Sequence, residues 1–300
     1  MKILSLFDGI ACGRVALERC GFDVESYDSF EIDENAMKVA NTNYPDIRQH
    51  GSVVGADFTR FRGYDLLMGG SPCQGFSSAG KGLNFNDPRS RLFFEFVRAL
   101  KESEPKYFLL ENVKMKRQHE DIITDYLGVE PICINSSLVS AQNRVRLYWT
   151  NIPNVGQPKD RYIFLEDIID GDDFGGDELH KATIVGRRLD RSGHRQDYNK
   201  EIPITQCLEV RKSNNRKVNC LTTVGKDNVL TPLPFGRHVD AFGLNGRKLP
   251  WRYLNRTECE RLQTLPDGYT SPISESQAKR ALGNGWTVDV IAHILKNIKD

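Results

Sequence analysis

No stretch of this 300-residue sequence approaches the roughly 20 consecutive apolar residues that span a bilayer, which argues against a membrane protein. The opening MKILSLFDGIACG carries one Lys but breaks at Asp8 and Gly9, so it makes a poor secretory signal. Seven cysteines are scattered without paired spacing. That argues for reduced thiols in a cytosolic protein, against a disulfide framework or a zinc site. Internal repeats and low-complexity tracts are lacking, and so is the G-x-G-x-x-G pattern of dinucleotide binders. A large net charge is missing too, at +1.

What is there describes an ordinary globular chain, 39% hydrophobic and 27% charged, long enough for one large domain and a smaller one. The charge is uneven. Residues 181–256 hold 16 Lys+Arg against 6 Asp+Glu, on an otherwise acidic body. A basic segment of this kind suits a polyanion such as nucleic acid, and equally a solvated Arg-rich surface.

Apolar runs at Lys2–Phe7, Val24–Phe30, Tyr64–Met68, Tyr107–Val113, Ile132–Val139 and Val145–Ile152 read as strands. Helical patterns lie between them. Arg14–Cys20 stops at Gly21, Glu34–Asn43 follows Asp33 as N-cap, and Arg91–Ser103 carries an apolar face. Alternation of the two predicts an α/β fold with a doubly wound, mostly parallel sheet. Pro153, Pro158 and GDDFGGDE mark a linker, and the polar, weakly periodic stretch to about Leu249 reads as a smaller loop-rich domain. Helical pattern returns at Thr257, where Thr257 and Glu260 suggest a capping box, and Thr287–Ile298 reads as a final amphipathic helix. The expected division is 1–155 plus 250–300 against 156–249.

Three constellations sit at expected strand ends. After the first strand, Asp8-Gly9-Ile10-Ala11-Cys12-Gly13 allows close approach of backbone to a ligand at a helix N-terminus. Glu31 ends the second strand, where a carboxylate can take ribose hydroxyls, and Asp57 can receive an adenine amine. Singly, each is as well read as an exposed strand-end charge or helix cap. A sharper pattern is GGSPCQGFS, with Cys73 in a Gly/Pro-bounded loop at a strand's carboxyl end. An arbitrary cysteine is usually a small buried hydrophobe, but turn residues on both sides here favour a nucleophile. Glu111-Asn112-Val113 and Gln142-Asn143-Arg144-Val145-Arg146 complete the set, the latter expected to place Gln142, Arg144 and Arg146 on one strand face.

In this order, FDGIACG, Glu31, Asp57, SPCQGFS, ENV, QNRVR, RTECERLQTLPDGY and LGNGW resemble the DNA (cytosine-5)-methyltransferase family of phage and bacterial type over nearly the whole chain. The basic segment falls where that family has its variable target-recognition region. Ser71 replaces a common Pro, and Gly285 replaces a common Ser; Ser71 and Trp286 resemble the vertebrate de novo branch.

The resemblance implies methylation of carbon 5 of cytosine in a short double-stranded DNA site, with S-adenosylmethionine as donor, S-adenosylhomocysteine as product and no metal. Cys73 is the implied nucleophile, Glu111 the group holding ring nitrogen 3 and the exocyclic amine, Arg146 the holder of the base's carbonyl, and Arg144 its support. Phe7, Asp8, Gly9, Gly13, Glu31, Ile32, Asp57, Phe58, Leu92 and Asn284 form the implied cofactor set. Pro72, Gln74, Ser77, Asn112, Gln142, Arg187, Arg188, Arg211, Arg216 and Thr222 form the implied DNA set, with Arg191, Arg195, Lys212 and Lys217 as further basic candidates. A monomer acting in the cytoplasm of a bacterial or phage-infected cell, with no membrane partner, is expected. The transfer-RNA branch of the family usually carries a Cys-Phe-Thr element that is missing here. Amino-group methyltransferases use a Pro-Pro loop where this chain has Pro72-Cys73. A catalytically dead binding protein fits poorly with intact reacting groups.

Overall fold

The computed structural model describes the whole chain except residues 73–91, 172–174, 176–177, 191–193, 211–215, 234–237, 241–249 and 299–300, and the side chains of 238–240. Strands and helices alternate through the first half: β1 (Lys2–Leu6), α1 (Cys12–Arg19), β2 (Ser26–Phe30), α2 (Glu34–Asn43), β3 (Arg48–Gln49), β4 (Leu66–Gly69), α3 (Leu92–Ser103), β5 (Tyr107–Val113), α4 (Arg117–Leu127), β6 (Ile132–Asn135) and β7 (Val145–Thr150). They form one seven-stranded sheet in the order β3-β2-β1-β4-β5-β7-β6. Pairing is parallel except that β7 runs against both its neighbours. The expected doubly wound, mostly parallel sheet is therefore what the chain adopts.

Side-chain alternation explains why both faces are covered. In β1, Ile3 joins one apolar cluster while Leu4 and Leu6 join the other. Leu66 and Met68 oppose Leu67 in β4, Leu109 opposes Phe108 and Leu110 in β5, and Tyr148 opposes Leu147 and Trp149 in β7. Strands buried on both faces read as near-continuous apolar runs, which is how β4 and β5 appeared in the sequence. Asp33 caps α2, accepting from the Asn35 and Ala36 amides. The expected capping box lies two residues earlier than read: Asn255 and Glu258 form it, at the start of α5 (Arg256–Leu262). The run Ile132–Val139 stops being a strand at Asn135, whose side chain caps a short 3-10 turn.

The stretch expected to be loop-rich carries a second, antiparallel sheet of β8 (His180–Arg188), β9 (Ile204–Val210), β10 (Val229–Thr231), β11 (His238–Asp240) and β12 (Arg252–Tyr253). Its core is small: Ala182, Ile184, Leu208, Val210 and Val229. β10, β11 and β12 are only two or three residues long, and β8 and β9, at nine and seven, are partly polar without strict alternation, which left little period-2 signal. β12 belongs to this sheet although it follows residue 250, while Leu165 and Ile168 pack into the core of the larger body. The chain then returns through α5, α6 (Glu275–Asn284) and α7 (Val288–Leu295), whose Val288, Ile291 and Leu295 share a core with Val15 and Leu17 of α1.

Gln142 does not face outward. It precedes β7, is fully buried, and donates to the Leu262 carbonyl at 2.5 Å and to Gln263 Oε1 at 3.1 Å while accepting from the Leu221 amide at 3.0 Å. The expected DNA contact is thus an internal brace, and the three-residue strand face predicted for Gln142, Arg144 and Arg146 does not exist because β7 begins at Val145. Replacing Gln142 by Leu orphans the buried Leu221 amide, whereas the Leu262 carbonyl keeps the Ser140 hydroxyl at 2.6 Å. Urea unfolding of Gln142→Leu should show a loss of about 1–3 kcal/mol, the range for one unsatisfied buried polar group.

Candidate active site

Register aligns four strand ends. Leu6 is paired with both Phe30 and Gly69, and Gly69 with Leu110. The residues that follow (Phe7, Glu31, Gly70 and Glu111) therefore stand side by side toward the carboxyl edge of the sheet, Glu111 still paired with Tyr148. β1 lies between β2 and β4, where connections diverge to either side, and such a switch point opens a crevice for ligand.

On the β1–β2 side the turn is tight: Phe7, Gly9 and Ala11 all have positive φ, at 56°, 59° and 59°. Glu31 braces it, with Oε2 accepting from the Gly9 amide at 2.8 Å and Oε1 accepting from the Ile32 and Asp33 amides at 2.7 and 2.9 Å. Three of the roughly four acceptor positions of the carboxylate are thereby filled. One remains, on Oε2, where the sequence suggested room for two ribose hydroxyls. Ile32 beside it is 74% exposed, an apolar face at the mouth of the crevice. Asp57 is exposed and accepts the Thr59 amide and hydroxyl on Oδ1 alone, which leaves Oδ2 for an amine. The Thr59 hydroxyl, then its amide, hold the Asp57 carboxyl below its ordinary range. Asn284 is exposed at the end of α6, and Leu92 is half-buried at the start of α3.

Other expected cofactor residues turn inward. Phe58 is fully buried, with its amide donating to Glu102 at 3.1 Å and the Arg98 guanidinium 4.5 Å above its ring. Asp8 is buried and accepts from Ser5 at 2.5 Å, Tyr27 at 2.6 Å and Ser29 at 3.1 Å. Burial outweighs these three hydroxyls and pushes its carboxyl up to about 6. Gly13 is a packing requirement: a Cβ there would stand 2.6 Å from the Met68 methyl.

On the β4–β5 side, Glu111 and Arg146 come from adjacent strands. Glu111 pairs with Tyr148 and Val113 with Arg146, so the two long side chains meet on the diagonal. Arg146 Nε lies 3.0 Å from Glu111 Oε1, both groups being largely buried. Burial opposes the Arg146 charge, but Glu111 chiefly, with Cys220 and Tyr148, holds the guanidinium above its ordinary range. Gly70 makes room for the acid, since a Cβ there would stand 3.0 Å from Glu111 Oε2 and 2.9 Å from Trp286 Nε1. Asn112 ties the strand to the segment before Cys73, its amide reaching the Ser71 hydroxyl at 3.2 Å and carbonyl at 3.4 Å. The Ser71 hydroxyl is an acceptor that a Pro at this position would lack. Pro72 is the last described residue before Cys73, which lies outside the described residues together with Gln74 and Ser77.

Arg144, expected to support Arg146, has its donors committed within the fold. Its buried guanidinium donates to the Leu221 carbonyl at 2.8 Å, to Gly285 at 2.8 Å and to Gly283 at 3.3 and 3.4 Å, with Cys220 Sγ at 3.3 Å. Burial first, and then Arg146, lower its ordinary basicity. Cys220 and Trp286 are site neighbours to which sequence reasoning assigned no role. Both reach the site from distant segments, and no local pattern marks them.

Among the described residues, several cations of the basic segment are committed to internal partners. Arg187 Nε donates to the fully buried Glu209 at 2.5 Å. Arg188 donates to the Lys200 and Ile202 carbonyls, Arg195 pairs with Asp197, and Lys217 is buried among the Ser137, Ser140 and Ile163 carbonyls. Arg216 is different: it pairs with Glu166, but both are exposed, at 64% and 45% of their side chains. Thr222 accepts from the Val224 amide and donates to Asp227 at 2.9 Å. Arg191, Arg211 and Lys212 lie outside the described residues.

A sequence profile of the C-5 cytosine-specific DNA methylases matches residues 1–300. The type II methyltransferase M.NlaX of Neisseria lactamica is 30% identical over 312 residues, which cover 99% of this chain and 96% of that protein. M.HhaI of Haemophilus parahaemolyticus is 28% identical over 319 residues, covering 99% and 94%. Among solved structures, the methyltransferase EhMeth of Entamoeba histolytica superposes with a TM-score of 0.73 at 17% identity, over 99% of this chain and 97% of its own.

The raised Asp8 carboxyl has a testable consequence. Its folded value of about 6 exceeds the ordinary 3.8, so the fold prefers the neutral acid. The penalty of ionising it is complete above about pH 6, relaxes as pH falls through that value and is gone below 3.8. Wild type should therefore gain stability relative to Asp8→Asn on acidification across this window. A gain of about 3 kcal/mol is expected for a shift of this size, read from urea midpoints at several pH values.

Proposed function

Because this chain belongs to the C-5 cytosine-specific DNA methylases and is a DNA (cytosine-5-)-methyltransferase, we propose that it acts through a covalent Cys73 adduct on a cytosine turned out of the duplex, with S-adenosylmethionine as methyl donor. The observation that carries this reading is the Glu111 carboxylate at the end of β5, held on both oxygens and set against Gly70, three residues before Cys73.

The crevice residues fit the donor. The one open acceptor position on Glu31, the bare Ile32 side chain and the free Oδ2 of Asp57 suit a ribose, an adenine face and an adenine amine respectively. When bound, the donor supplies an electrophilic methyl group. Carbon 5 of cytosine is too weak a nucleophile unaided. Attack of the Cys73 thiolate on carbon 6 forms an S–C bond and moves the ring π electrons toward carbon 5, which becomes enamine-like. Glu111 holds ring nitrogen 3 and the exocyclic amine, and Arg146 steadies Glu111 and faces the carbonyl oxygen. Once carbon 5 has bonded the methyl group, loss of its proton returns the C–H electrons to the ring, and the S–C bond breaks to release the Cys73 thiolate. The base must leave the stack for these groups to reach it, at a few kcal/mol that phosphate contacts offset.

Fluorine at carbon 5 cannot leave as a proton, so it arrests the sequence before the thiol departs. A mixed-sequence duplex with 5-fluorocytosine throughout should yield a denaturation-stable protein–DNA adduct with wild type and cofactor, and none with Cys73→Ala. No adduct with wild type sinks the covalent reading. Glu111→Gln should lower the methylation rate by about 10²- to 10⁴-fold, the range for a positioned acid–base group.

Two arginines of the recognition region should separate cleanly. Arg216→Ala replaces an exposed pair worth little to folding, so it should leave the melting temperature unchanged. Its DNA affinity should show a salt slope shallower by about one phosphate contact. Arg187→Ala takes the guanidinium away from the buried Glu209 carboxylate and should lower thermal stability instead.

A further inference from the structure

Glu111 is reached by a donor from outside the strand pair that carries it. Trp286 stands 175 positions away in sequence, yet its Nε1–H donates to Glu111 Oε2 at 3.1 Å, while Arg146 Nε faces Oε1 at 3.0 Å. The indole is 8% exposed and wedged between two glycines. A Cβ on Gly70 would stand 2.9 Å from Nε1, and one on Gly13 would stand 3.4 Å from Cζ3 at the other end of the ring system. The ring system thus spans from the first-strand turn to the catalytic acid.

We propose that Trp286 is a positioning residue for cytosine methylation: its N–H fixes the Glu111 carboxylate toward the base and links it to the Gly13 turn. This rests on the reading of Glu111 as the group that holds the flipped cytosine. The terminal torsion of a glutamate is broad, so a single contact from Arg146 leaves the carboxylate free to pivot. A second donor on the other oxygen stops the pivot. Indole N–H is donor only, so Oε2 acts as acceptor on that side and directs its remaining capacity elsewhere. A buried indole N–H also needs an acceptor, and Glu111 provides it.

Packing and hydrogen bonding are separable by replacing the ring. Trp286→Phe keeps an aromatic wedge without the donor. Incorporation of β-(3-benzothienyl)alanine at 286 substitutes sulfur for the N–H at nearly the same shape. Both proteins should show kcat lower by about ten- to a hundredfold, the range for a lost bond to a charged group. KM for the cofactor should stay within about twofold, since uniform cofactor binding is untouched. In a Glu111→Gln background the same change at 286 should have an effect of under about threefold, because coupled residues are non-additive. A purely structural indole would not depend on Glu111. Wild-type kcat in the benzothienyl protein, an effect confined to KM, or an undiminished effect beside Gln at 111 overturns the proposal. Wild-type enzyme that neither methylates mixed-sequence duplex nor traps on 5-fluorocytosine overturns the underlying reading instead.

Discussion

A buried guanidinium with nowhere to go but backbone carbonyls holds this protein together at its working edge. Arg144 joins the approach to β7, the chain returning from the small sheet at Leu221, and the loop from Gly283 to Gly285. Charge taken out of water must find partners, and the carbonyls of two distant segments supply them. Gly283 allows the approach, since a Cβ there would meet the Thr222 backbone at 2.6 Å. Gln142 and Gln263 run alongside, joining Leu221, Leu262, Leu282 and Gly285 by side-chain amides. These polar bonds join the region of the small antiparallel sheet to the larger body alongside Val218, Leu221, Leu230 and Leu254, which are buried in the larger body's apolar core.

That fastening sets the chemistry. Trp286 follows directly on the loop that Arg144 holds, and its indole meets Glu111 from the side opposite Arg146. The acid is consequently defined by three chain segments, of which only one contains the ENV motif. Gly69 and Gly70 have steric reasons for being glycine, since a Cβ at either would stand within 3.0 Å of a carbonyl, an indole nitrogen or a carboxylate. At the donor crevice the same economy holds. Glu31 spends most of its acceptor capacity on the turn it stabilises, and presents what is left to a ligand.

The motif RTECERLQTLPDGY illustrates how chemistry-bearing residue types serve the fold. Glu258 is fully buried and receives both terminal nitrogens of Arg252 and the Asn255 amide, and Glu260 receives the amides of Gly268 and Thr270. These carboxylates stitch the α5 region together. Within the basic segment, Arg187, Arg195 and Arg252 meet Glu209, Asp197 and Glu258. These cations are bound to carboxylates of the fold, which a linear charge count does not show.

Most of the first half of the chain was legible because most of its strands are short apolar runs closed by turn residues, so period and punctuation reveal the order of elements; the two-residue polar β3 carries no such signal. Motif order pointed to the family, and with it to Cys73, Glu111 and Arg146 as the expected site residues. The small sheet was not legible, its two main strands being partly polar and its other three only two or three residues long. Nor did the linear order tell Arg146, which meets the acid, from Arg144 and Gln142, which do not. One-dimensional spacing records which residues are near in sequence, whereas burial and hydrogen-bond partners are set by which segments fold back onto them. Trp286 belongs wholly to that second category: its side chain acquires a role only when the last loop closes over the end of β5.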